Sequence, residues 1–342
     1  SMYTLYGHVG SPYSIKMRSL LRYRQIPFRF KGQRNDWLHA FSKVKIKIIP
    51  VLEYPNGRYR NDSTPVIHDL EQRHSERSVY PAQEVDTFLA YLIEDMADEW
   101  LTKTMYAYRW AYPEHTLWTG RLIAFDQNFG LEMGLTTLEE FGARFVQHQV
   151  PRNVLVGSTA ANLPVIEHIG NRVMDIMETH IVNQPFLFGS RPSIAEFGLY
   201  GQLSQFILDL SAVEPCRQRA PYTMRWLHHM DDLSGLEGEW RQESESHAPA
   251  VEALLAMIGD EYLPFLLANA EAVVAGAESF KLSVANLDYQ QAPYKYQLKC
   301  LQQLREAYAA LSEKARSQLN PLLEKHGCLL PLTQNLKTTE RA

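Results

Sequence analysis

The stretch Gly10-Ser11-Pro12-Tyr13-Ser14 decides the fold that we predict for this chain. It follows a short β-prone run over residues 2–6 and begins a helix-like run over residues 15–23. Proline is tolerated in the first turn of a helix, because the N–H that it lacks has no partner there. Ser11 would then lie just before the helix, where free N–H groups and the helix dipole favour an anion such as a thiolate or a carboxylate. A second interpretation stays open, in which Ser11 is simply the N-cap of the helix.

The overall composition is typical of a globular protein with about two domains. The chain has 342 residues, of which 45% are hydrophobic and 21% are charged. No apolar run approaches the roughly 18 residues that a bilayer span needs, so we expect no membrane association. Three cysteines, Cys216, Cys300 and Cys328, are scattered without the spacing of a metal or redox site. We therefore expect no metal and a reducing, cytoplasmic location.

The charge is divided unevenly along the chain. Residues 1–80 contain 14 Lys or Arg and 6 Asp or Glu, whereas the remaining residues contain 20 and 33. A basic first domain would attract small acidic ligands, and an acidic remainder argues against a nucleic-acid partner. The charge counts alone agree equally well with an incidental solvated face.

The pattern after the first helix predicts more strands. Residues 26–30 are β-prone, which gives a strand-helix-strand unit with a right-handed crossover. The alternation over residues 43–48 favours a half-exposed strand. Residues 49–54 and 58–60 flank a Pro-Asn-Gly turn and predict a β-hairpin.

Two further positions mark the end of this first unit. Pro50 cannot donate to a sheet ladder, so it belongs at an edge or at a special site such as a cis peptide bond, which sequence alone does not establish. Asp62 or Ser63 is a good cap for a third helix, with Pro65 in its first turn.

These features together resemble the N-terminal, thioredoxin-like domain of cytosolic glutathione transferases. The matching segments are Ser11-Pro12-Tyr13-Ser14, Ile49-Pro50-Val51-Leu52 and Asp62-Ser63. The resemblance implies an α/β, thioredoxin-like domain over residues 2–80 and an all-helical domain over residues 84–235. Residues 236–342 lie beyond the resemblance and are predicted to form a helical C-terminal extension.

The resemblance also implies a binding site for glutathione as co-substrate. Ser11 would donate a hydrogen bond to the thiolate, with Tyr6 as the rival, because tyrosine performs this task in other members of the family. Ser14 is expected on the helix surface. The implied glutathione contacts are Pro12, Tyr13, Ile49, Pro50, Val51 through its backbone to the cysteinyl part, Asp62 to the ammonium, and Ser63 to the γ-glutamyl carboxylate. A Gly-Lys pair that is usual in the family is replaced here by Lys47 and Ile48, so Lys47, Lys45 and Lys43 are the candidates for the glycyl carboxylate.

The predicted helical domain begins at Glu84 with a run rich in aromatic residues. Tyr106, Arg109 and Trp110 could line the pocket for the electrophilic acceptor, although core packing explains each of them as well. Further along, Ser193 and Glu196 have the spacing of a capping box at the start of a helix.

The extension contains two helical patterns and no catalytic motif. Residues 248–274 are largely helical, and residues 294–325 predict one long amphipathic helix that Pro321 would end or kink. The extension would cover the mouth of the cleft or enlarge a subunit interface.

Two functions remain at this stage. The first is a cytoplasmic, homodimeric glutathione transferase acting on an electrophilic small molecule. Serine rather than cysteine at position 11 argues against a thiol–disulfide reductase. The second is a non-catalytic binding or assembly protein that keeps the fold.

Overall fold

The computed structural model describes residues 2–334. The first unit consists of β1 (Tyr3–Tyr6), α1 (Pro12–Tyr23), β2 (Phe28–Lys31), α2 (Arg34–Phe41), β3 (Val51–Glu53), β4 (Tyr59–Asn61) and α3 (Ser63–Arg73). The helices that follow are α4 (Glu84–Met96), α5 (Thr102–Trp110), α6 (Thr116–Gln127), α7 (Leu135–Gln149), α8 (Leu163–Ile181), α9 (Ile194–Leu203), α10 (Leu210–Arg219) and α11 (Pro221–His229). The C-terminal elements are α12 (Pro249–Met257), α13 (Leu263–Ala275), β5 (Phe280–Val284), β6 (Leu287–Gln291), α14 (Lys295–Ala309), α15 (Glu313–Lys325) and α16 (Leu329–Thr333).

The first unit is built on a mixed four-stranded sheet in the order β2-β1-β3-β4. β1 pairs parallel with β2, as the predicted strand-helix-strand unit requires, and antiparallel with β3. β3 and β4 form the predicted hairpin, with Gly57 in the turn at a φ of 84°, a left-handed value that glycine adopts without strain. This sheet and the helices after it confirm the predicted thioredoxin-like domain followed by a helical region.

Helix α1 joins the sheet unit to the helical region. Its buried face packs against α9, and a Cβ on Gly201 of α9 would lie 2.7 Å from the carbonyl oxygen of Pro12. Such a contact is shorter than van der Waals packing allows, so the two helices approach this closely because position 201 has no side chain. Close packing against α9 therefore fixes the position of the start of α1, where we expect the site.

The strand predicted over residues 43–48 is wrong. This segment is a loop, and most of it is exposed. The ammonium of Lys47 donates hydrogen bonds to the carbonyl oxygens of Phe41 and Val44, which curls the chain back onto the end of α2. In residues 43–48, the alternation of Lys with apolar residues thus does not indicate a strand, because the Lys47 side chain binds backbone carbonyls of the preceding turn.

The helical region contains the predicted capping box. Ser193 is the N-cap of α9, its Oγ accepts from the Ala195 N–H at 3.1 Å, and the Glu196 carboxylate accepts from the Ser193 N–H at 3.3 Å. Between α4 and α5, Ala97–Leu101 forms a π-helical segment. A single wide turn of this kind re-aims the side chains that follow it.

The extension differs from its prediction in two ways. The long helix expected over residues 294–325 is two helices, α14 and α15, which separate at Ser312 because its side chain caps α15 by accepting from the Ala315 N–H. Pro321 lies inside α15 instead of ending it. A β-hairpin, β5–β6, was not predicted, although a two-residue turn at Ala285 and Asn286 with φ of 51° and 63° joins two alternating runs.

The extension packs closely on α4 and on the π-helical segment. The Trp100 indole N–H donates to Glu261 at 3.2 Å, the Tyr262 hydroxyl donates to Asp95, and Ser312 donates to Glu84. One continuous core of buried apolar residues runs through all three parts of the chain. The bounds of the three domains that the sequence predicts stay a prediction.

Within residues 2–334, the helices are too short or too polar to cross a bilayer. The cysteines at positions 216, 300 and 328 are buried and are not joined in a disulfide.

Candidate functional site

The register of the sheet brings the predicted site residues to one edge. Tyr6 at the end of β1 is opposite Val51 at the start of β3, and Val51 is opposite Asn61 at the end of β4. The loop after β1, the residue before β3 and the residue after β4 therefore leave the sheet at the same edge. These positions carry Ser11, Pro50 and Asp62.

Ser11 lies at the N-terminus of α1, where it is half-buried. It is the N-cap of the helix, and its Oγ accepts a hydrogen bond from the Ser14 N–H at 3.3 Å. An N-cap hydroxyl accepts with its oxygen, which leaves its own proton free to donate to a ligand. Both interpretations of Ser11 from the sequence are thus compatible in one geometry.

The rival, Tyr6, has its hydroxyl engaged elsewhere. Its ring is buried in a small cluster with Ala40 and Val51, and its O–H donates to the Glu53 carboxylate at 2.9 Å. Burial and the hydrogen bond to Glu53 raise the pKa of Tyr6 far above its ordinary value. A hydroxyl that already donates to a carboxylate is a poor donor to a second anion.

The peptide bond between Ile49 and Pro50 is cis. Pro50 and Val51 are buried, and Val51 is paired in the sheet with Tyr6 on one side and Asn61 on the other. Ile49 is half-buried and lies just outside the ladder, and no backbone hydrogen bond to another residue in the range 2–334 is found for it. An extended peptide would therefore find unpaired backbone groups at Ile49 rather than at Val51.

Asp62 and Ser63 lie at the N-terminus of α3. Asp62 is the N-cap with a φ of 74°, an uncommon conformation for a residue other than glycine, and its carboxylate makes no hydrogen bond to the first turn. Burial raises the pKa of Asp62, while the charges of Lys16 and Lys299 oppose that rise. Ser63 is buried, and its Oγ accepts from the Lys16 ammonium at 3.1 Å. Its O–H proton is thereby left for another acceptor at the helix N-terminus.

A buried ion cluster beneath this site was not predicted. The side chain of Lys16 is 1% exposed, and its ammonium lies 2.8 Å from Asp98 Oδ2 and 3.0 Å from Glu94 Oε2. Burial alone would lower the pKa of Lys16, but the charges of Asp98 and Glu94 raise it above its ordinary value. Burial raises the pKa values of the two carboxyl groups, and Lys16 opposes this. The sequence pattern that could have indicated this ion cluster is the pair Glu94 and Asp98, which lie four residues apart.

Tyr13 and Ser14 differ in their roles from the sequence-based expectation. The Tyr13 hydroxyl donates to the carbonyl oxygen of Asp98 at 2.7 Å, which ties α1 to the π-helical segment. Ser14, expected on the helix surface, is fully buried instead, with its Oγ 2.6 Å from where a Cβ on Gly7 would lie. Pro12 is buried in the first turn of α1, as predicted.

The three residues predicted to line an acceptor pocket face different neighbours. The Tyr106 hydroxyl donates to the Gln149 carbonyl at 3.1 Å, and the Trp110 ring packs on Phe145, so both face α7. Arg109 instead donates to Gln205, and Gln205 donates to the Val9 carbonyl at 3.3 Å. Arg109 is therefore the member of the set that is connected to the loop between β1 and α1.

Arg109 lies in a second group of buried ionisable residues. Its Nε is 3.5 Å from Asp209 Oδ2. Burial raises the pKa values of Asp209 and Asp126 to about 6 against the opposing charge of Arg109. Burial, with the nearby Arg109 charge, lowers the pKa of His8 to about 3, so the imidazole is neutral. This side of the loop is polar rather than purely apolar.

The lysines considered for a glycyl carboxylate do not form a preformed cation site. Lys43, Lys45 and Lys47 are exposed, and the ammonium of Lys47 is held by the two backbone carbonyls described above. No cluster of three or more His, Cys, Asp or Glu side chains with the geometry of a metal site occurs between residues 2 and 334.

Comparison with solved structures returns glutathione transferases at low similarity. A glutathione S-transferase from Methylobacterium radiotolerans, solved with glutathione sulfonate, is 14% identical with a TM-score of 0.41, covering 72% of this chain and 100% of that chain. The Tau class glutathione S-transferase from mango is 13% identical with a TM-score of 0.41, covering 67% and 88%. The β-etherase LigF from Sphingobium sp. strain SYK-6 is 13% identical with a TM-score of 0.47, covering 75% and 100%. No curated protein matches the sequence significantly.

A family model matches the first unit of the chain. The matched residues are 5–78, and the model is described as the glutathione S-transferase N-terminal domain. These residues include the β1–α1 loop, the cis-proline and the start of α3. Residues 5–78 thus match the N-terminal domain of glutathione S-transferases, the family that the sequence resembles.

Proposed function

We propose that this protein is a glutathione transferase-like enzyme that joins the sulfur of glutathione to an electrophilic small molecule, with Ser11 stabilising the thiolate. The family match over residues 5–78 supports glutathione as the co-substrate. The single observation that carries the choice of Ser11 is its position: a half-buried hydroxyl with a free proton at the N-terminus of α1, at the same sheet edge as Pro50 and Asp62.

Three properties of this position favour the thiolate over the thiol. The Ser11 proton would donate to the sulfur, the first backbone N–H groups of α1 lie beside it, and the helix dipole adds positive potential. Hydrogen bonding to the charged form lowers the pKa of a thiol. The thiol proton would leave to solvent, the sulfur would form a bond to an electrophilic carbon, and the leaving group would depart with its electron pair.

The rest of the peptide would lie along the sheet edge. We assign the backbone pairing of the cysteinyl part to Ile49, because Val51, the residue implied by the resemblance, is already paired on both sides. Asp62 would meet the ammonium of the γ-glutamyl end, and Ser63 with the first N–H groups of α3 would meet its carboxylate. Tyr13 and Pro12 would contribute by fixing the start of α1.

The acceptor would bind beside the loop between β1 and α1, with Arg109 at its polar side. Because Tyr106 and Trp110 face α7, they would support the acceptor pocket through their packing rather than contact the acceptor. Assembly as a homodimer and a cytoplasmic location, both expected at the sequence level, belong to the same proposal.

The second candidate is a binding or assembly protein without catalysis. One observation favours it: Lys47, which stands where the family usually has its Gly-Lys pair, donates to the carbonyls of Phe41 and Val44, so the glycyl carboxylate would have no preformed partner there. Weak peptide binding without turnover would be the result of such a loss.

The experiment separates these functions by measuring binding and turnover on the same variants. Glutathione binding is measured by titration calorimetry, and turnover by conjugation of a generic aryl halide. Ser11→Ala should lower kcat by about a hundredfold, as loss of one donor to a reacting anion does elsewhere, while the KM for glutathione changes little. The pH at which turnover is half-maximal should rise, because the thiol loses its stabilising donor.

Tyr6→Phe is the matched control. It removes the rival hydroxyl and should leave kcat nearly unchanged, because that hydroxyl donates to Glu53. A loss of turnover in Tyr6→Phe and not in Ser11→Ala would transfer the role to Tyr6. Binding without turnover in the wild type would support the second candidate.

A further inference from the structure

A cavity lies between α10 and α11, outside the candidate functional site. Its volume is about 660 Å³, within the range of about 300–1,000 Å³ that is usual for small-molecule sites. Its walls come from α10, α11 and the 3₁₀ turn Ser204–Ile207 that precedes α10. The described lining residues do not include Ser11, Pro50 or Asp62. A ligand in this cavity would therefore occupy a place separate from the proposed glutathione site.

Contacts with α8 hold both walls of the cavity in place. The Arg219 guanidinium, at the end of α10, donates two hydrogen bonds to the Asp175 carboxylate, at 2.6 and 3.1 Å. In the first turn of α11, the N–H groups of Tyr222 and Thr223 donate to the Glu178 carboxylate at 2.9 and 3.0 Å. Asp175 and Glu178 both belong to α8. Because one helix anchors both walls, the cavity is formed before any ligand enters it.

The floor of the cavity is apolar. Met224 of α11 is buried, and Ile207 and Val213 are half-buried. Pro221, at the start of α11, adds an apolar ring and has no N–H group to donate. A hydrocarbon group that covers these side chains removes apolar surface from water, which favours binding.

The rim of the cavity carries positive charge. Arg217 of α10 and Arg225 of α11 are exposed lining residues, one from each wall. Within residues 2–334, Arg225 makes no hydrogen bond or ion pair. Glu214 also lines the cavity, where it accepts from Gln218 at 3.0 Å and lies 4.0 Å from Arg217 Nη1, so its charge offsets one guanidinium at most. Guanidinium groups match the geometry of carboxylate and phosphate groups, so this rim favours an acidic group.

We propose that the cavity between α10 and α11 binds an amphipathic anion, a small molecule in which a carboxylate or phosphate group is attached to an apolar chain. The acidic group contacts Arg225 and Arg217 at the rim. The chain covers Met224, Ile207 and Val213 on the floor. The nine residues of α11 extend about 13 Å, so a chain of about ten carbons matches the length of this wall. The inference goes beyond the proposed function, because glutathione takes no part in it.

The test uses ligands that separate the charge from the chain. Decanoate and decyl phosphate have both, decyltrimethylammonium has the chain with the opposite charge, and acetate has the charge without the chain. Dissociation constants and stoichiometries are measured by titration calorimetry on the full chain, below the concentration at which each amphiphile forms micelles. Arg225→Ala and Arg217→Ala each remove one cation of the rim. Arg144→Ala, which removes an exposed arginine from α7, is the matched control.

Decanoate, decyl phosphate or both should bind with one molecule per chain, and the tighter of the two identifies the acidic group. Acetate and decyltrimethylammonium should not saturate a site at the same concentrations. Arg225→Ala should weaken binding about fivefold to tenfold, as expected for loss of one charge-assisted contact. Arg217→Ala should weaken it less, because Glu214 offsets part of its charge, and Arg144→Ala should bind like the wild type.

The length of the chain tests the apolar floor in the wild type alone, so this part does not depend on how any variant folds. Octanoate should bind about tenfold more weakly than decanoate, because two fewer methylene groups are buried. Equal affinities for the two acids would refute a chain seated in the cavity. Saturating glutathione should leave the dissociation constant of decanoate unchanged, whereas displacement by glutathione would place decanoate in the candidate functional site and refute the inference.

The arginine variants test the rim. Failure of both decanoate and decyl phosphate to bind the wild type would overturn the inference. Equal losses in Arg225→Ala and Arg144→Ala would also overturn it, because they would show a general charge effect. Binding of decyltrimethylammonium as tight as that of decanoate would show that the rim does not select an anion. Unchanged circular dichroism spectra and melting temperatures exclude misfolding as the cause of any loss.

Discussion

Replacing Lys16 by Met should strongly destabilise the fold. Lys16 joins α1 to α4 and to the π-helical segment through Glu94 and Asp98, at distances of 3.0 and 2.8 Å. Its side chain is 1% exposed. Methionine is unbranched and of similar length, so it keeps the apolar contacts of the lysine stem and removes the charge.

The magnitude follows from what the substitution leaves behind. Two buried carboxyl groups lose their common cation, and the Ser63 hydroxyl loses a donor. Removing one partner of a buried ion pair costs about 3–5 kcal/mol, because an uncompensated charge stays in the interior. Typical domains are stable by only about 5–15 kcal/mol, so the loss is a large fraction of the free energy of unfolding.

The loss should depend on pH. Without Lys16, the pKa values of Glu94 and Asp98 in the folded state rise further above their unfolded values. The folded variant then binds more protons than the unfolded chain, and its free energy of unfolding falls as the pH rises through these values. The difference from the wild type should be largest near pH 8 and smaller near pH 5, where protonation neutralises the carboxyl groups.

The assay is urea unfolding followed by circular dichroism at several pH values. Lys31→Met, at an exposed position of β2, is the control and should change the free energy of unfolding by no more than about 0.5 kcal/mol. A loss of less than about 1 kcal/mol for Lys16→Met, or a loss that does not vary with pH, would show that these carboxylates are solvated or paired in another way.

Two further substitutions test the packing around the site. Burial raises the pKa of Glu196 from an ordinary value of 4.5 to about 8, so the free energy of unfolding should fall as the pH rises between these values. Glu196→Gln keeps an acceptor for the capping box and should flatten this pH dependence, as measured by urea titrations. Gly201→Ala places a Cβ 2.7 Å from the Pro12 carbonyl and should lower the free energy of unfolding by about 1–3 kcal/mol, whereas Gly235→Ala, where the space is open, should leave thermal unfolding unchanged.

The elements that the sequence predicts correctly are those specified by local signals. Ser11 with Pro12 marks the start of α1, Pro-Asn-Gly marks the β3–β4 turn, and Ser193 with Glu196 marks the start of α9. Each signal works within about four residues, because caps and tight turns satisfy backbone groups of the same segment. For this reason the positions of Ser11, Pro50 and Asp62 at one sheet edge follow from the sequence once the order of the strands is known.

The incorrect secondary-structure predictions arise where another group of the protein overrides the conformation that the local sequence pattern favours. Alternation over residues 43–48 has the period of a strand, but the Lys47 ammonium binds two carbonyls of the preceding turn, which excludes the ladder. The break between α14 and α15 occurs at Ser312 rather than at Pro321, because Ser312 caps α15 and is hydrogen-bonded to Glu84. Hydrophobic periodicity alone does not distinguish one long helix from two consecutive helices.

Lys16 shows why the chemistry of the site could be predicted only in part. Its two acidic partners lie about 80 residues further along the chain, so no local pattern connects them with it. Lys299 is more distant still in the sequence, and the effect of its charge on the pKa of Asp62 depends on how α14 packs on α4. Long-range electrostatic contacts require the tertiary arrangement, whereas the hydroxyl at position 11 requires only a strand, a turn and a helix.

The contacts of the π-helical segment explain how the extension and the site depend on each other. Trp100 donates to the buried Glu261 of a second π-helical segment, Ile258–Tyr262, and Glu99 accepts from Gln297 of α14. The intervening Asp98 holds Lys16 and, through it, Ser63. One wide helical turn thus presents successive residues to the extension and to the sheet unit, because the extra residue in a π-turn changes the direction of the side chains after it. The extension is consequently part of the structure that positions the N-terminus of α3.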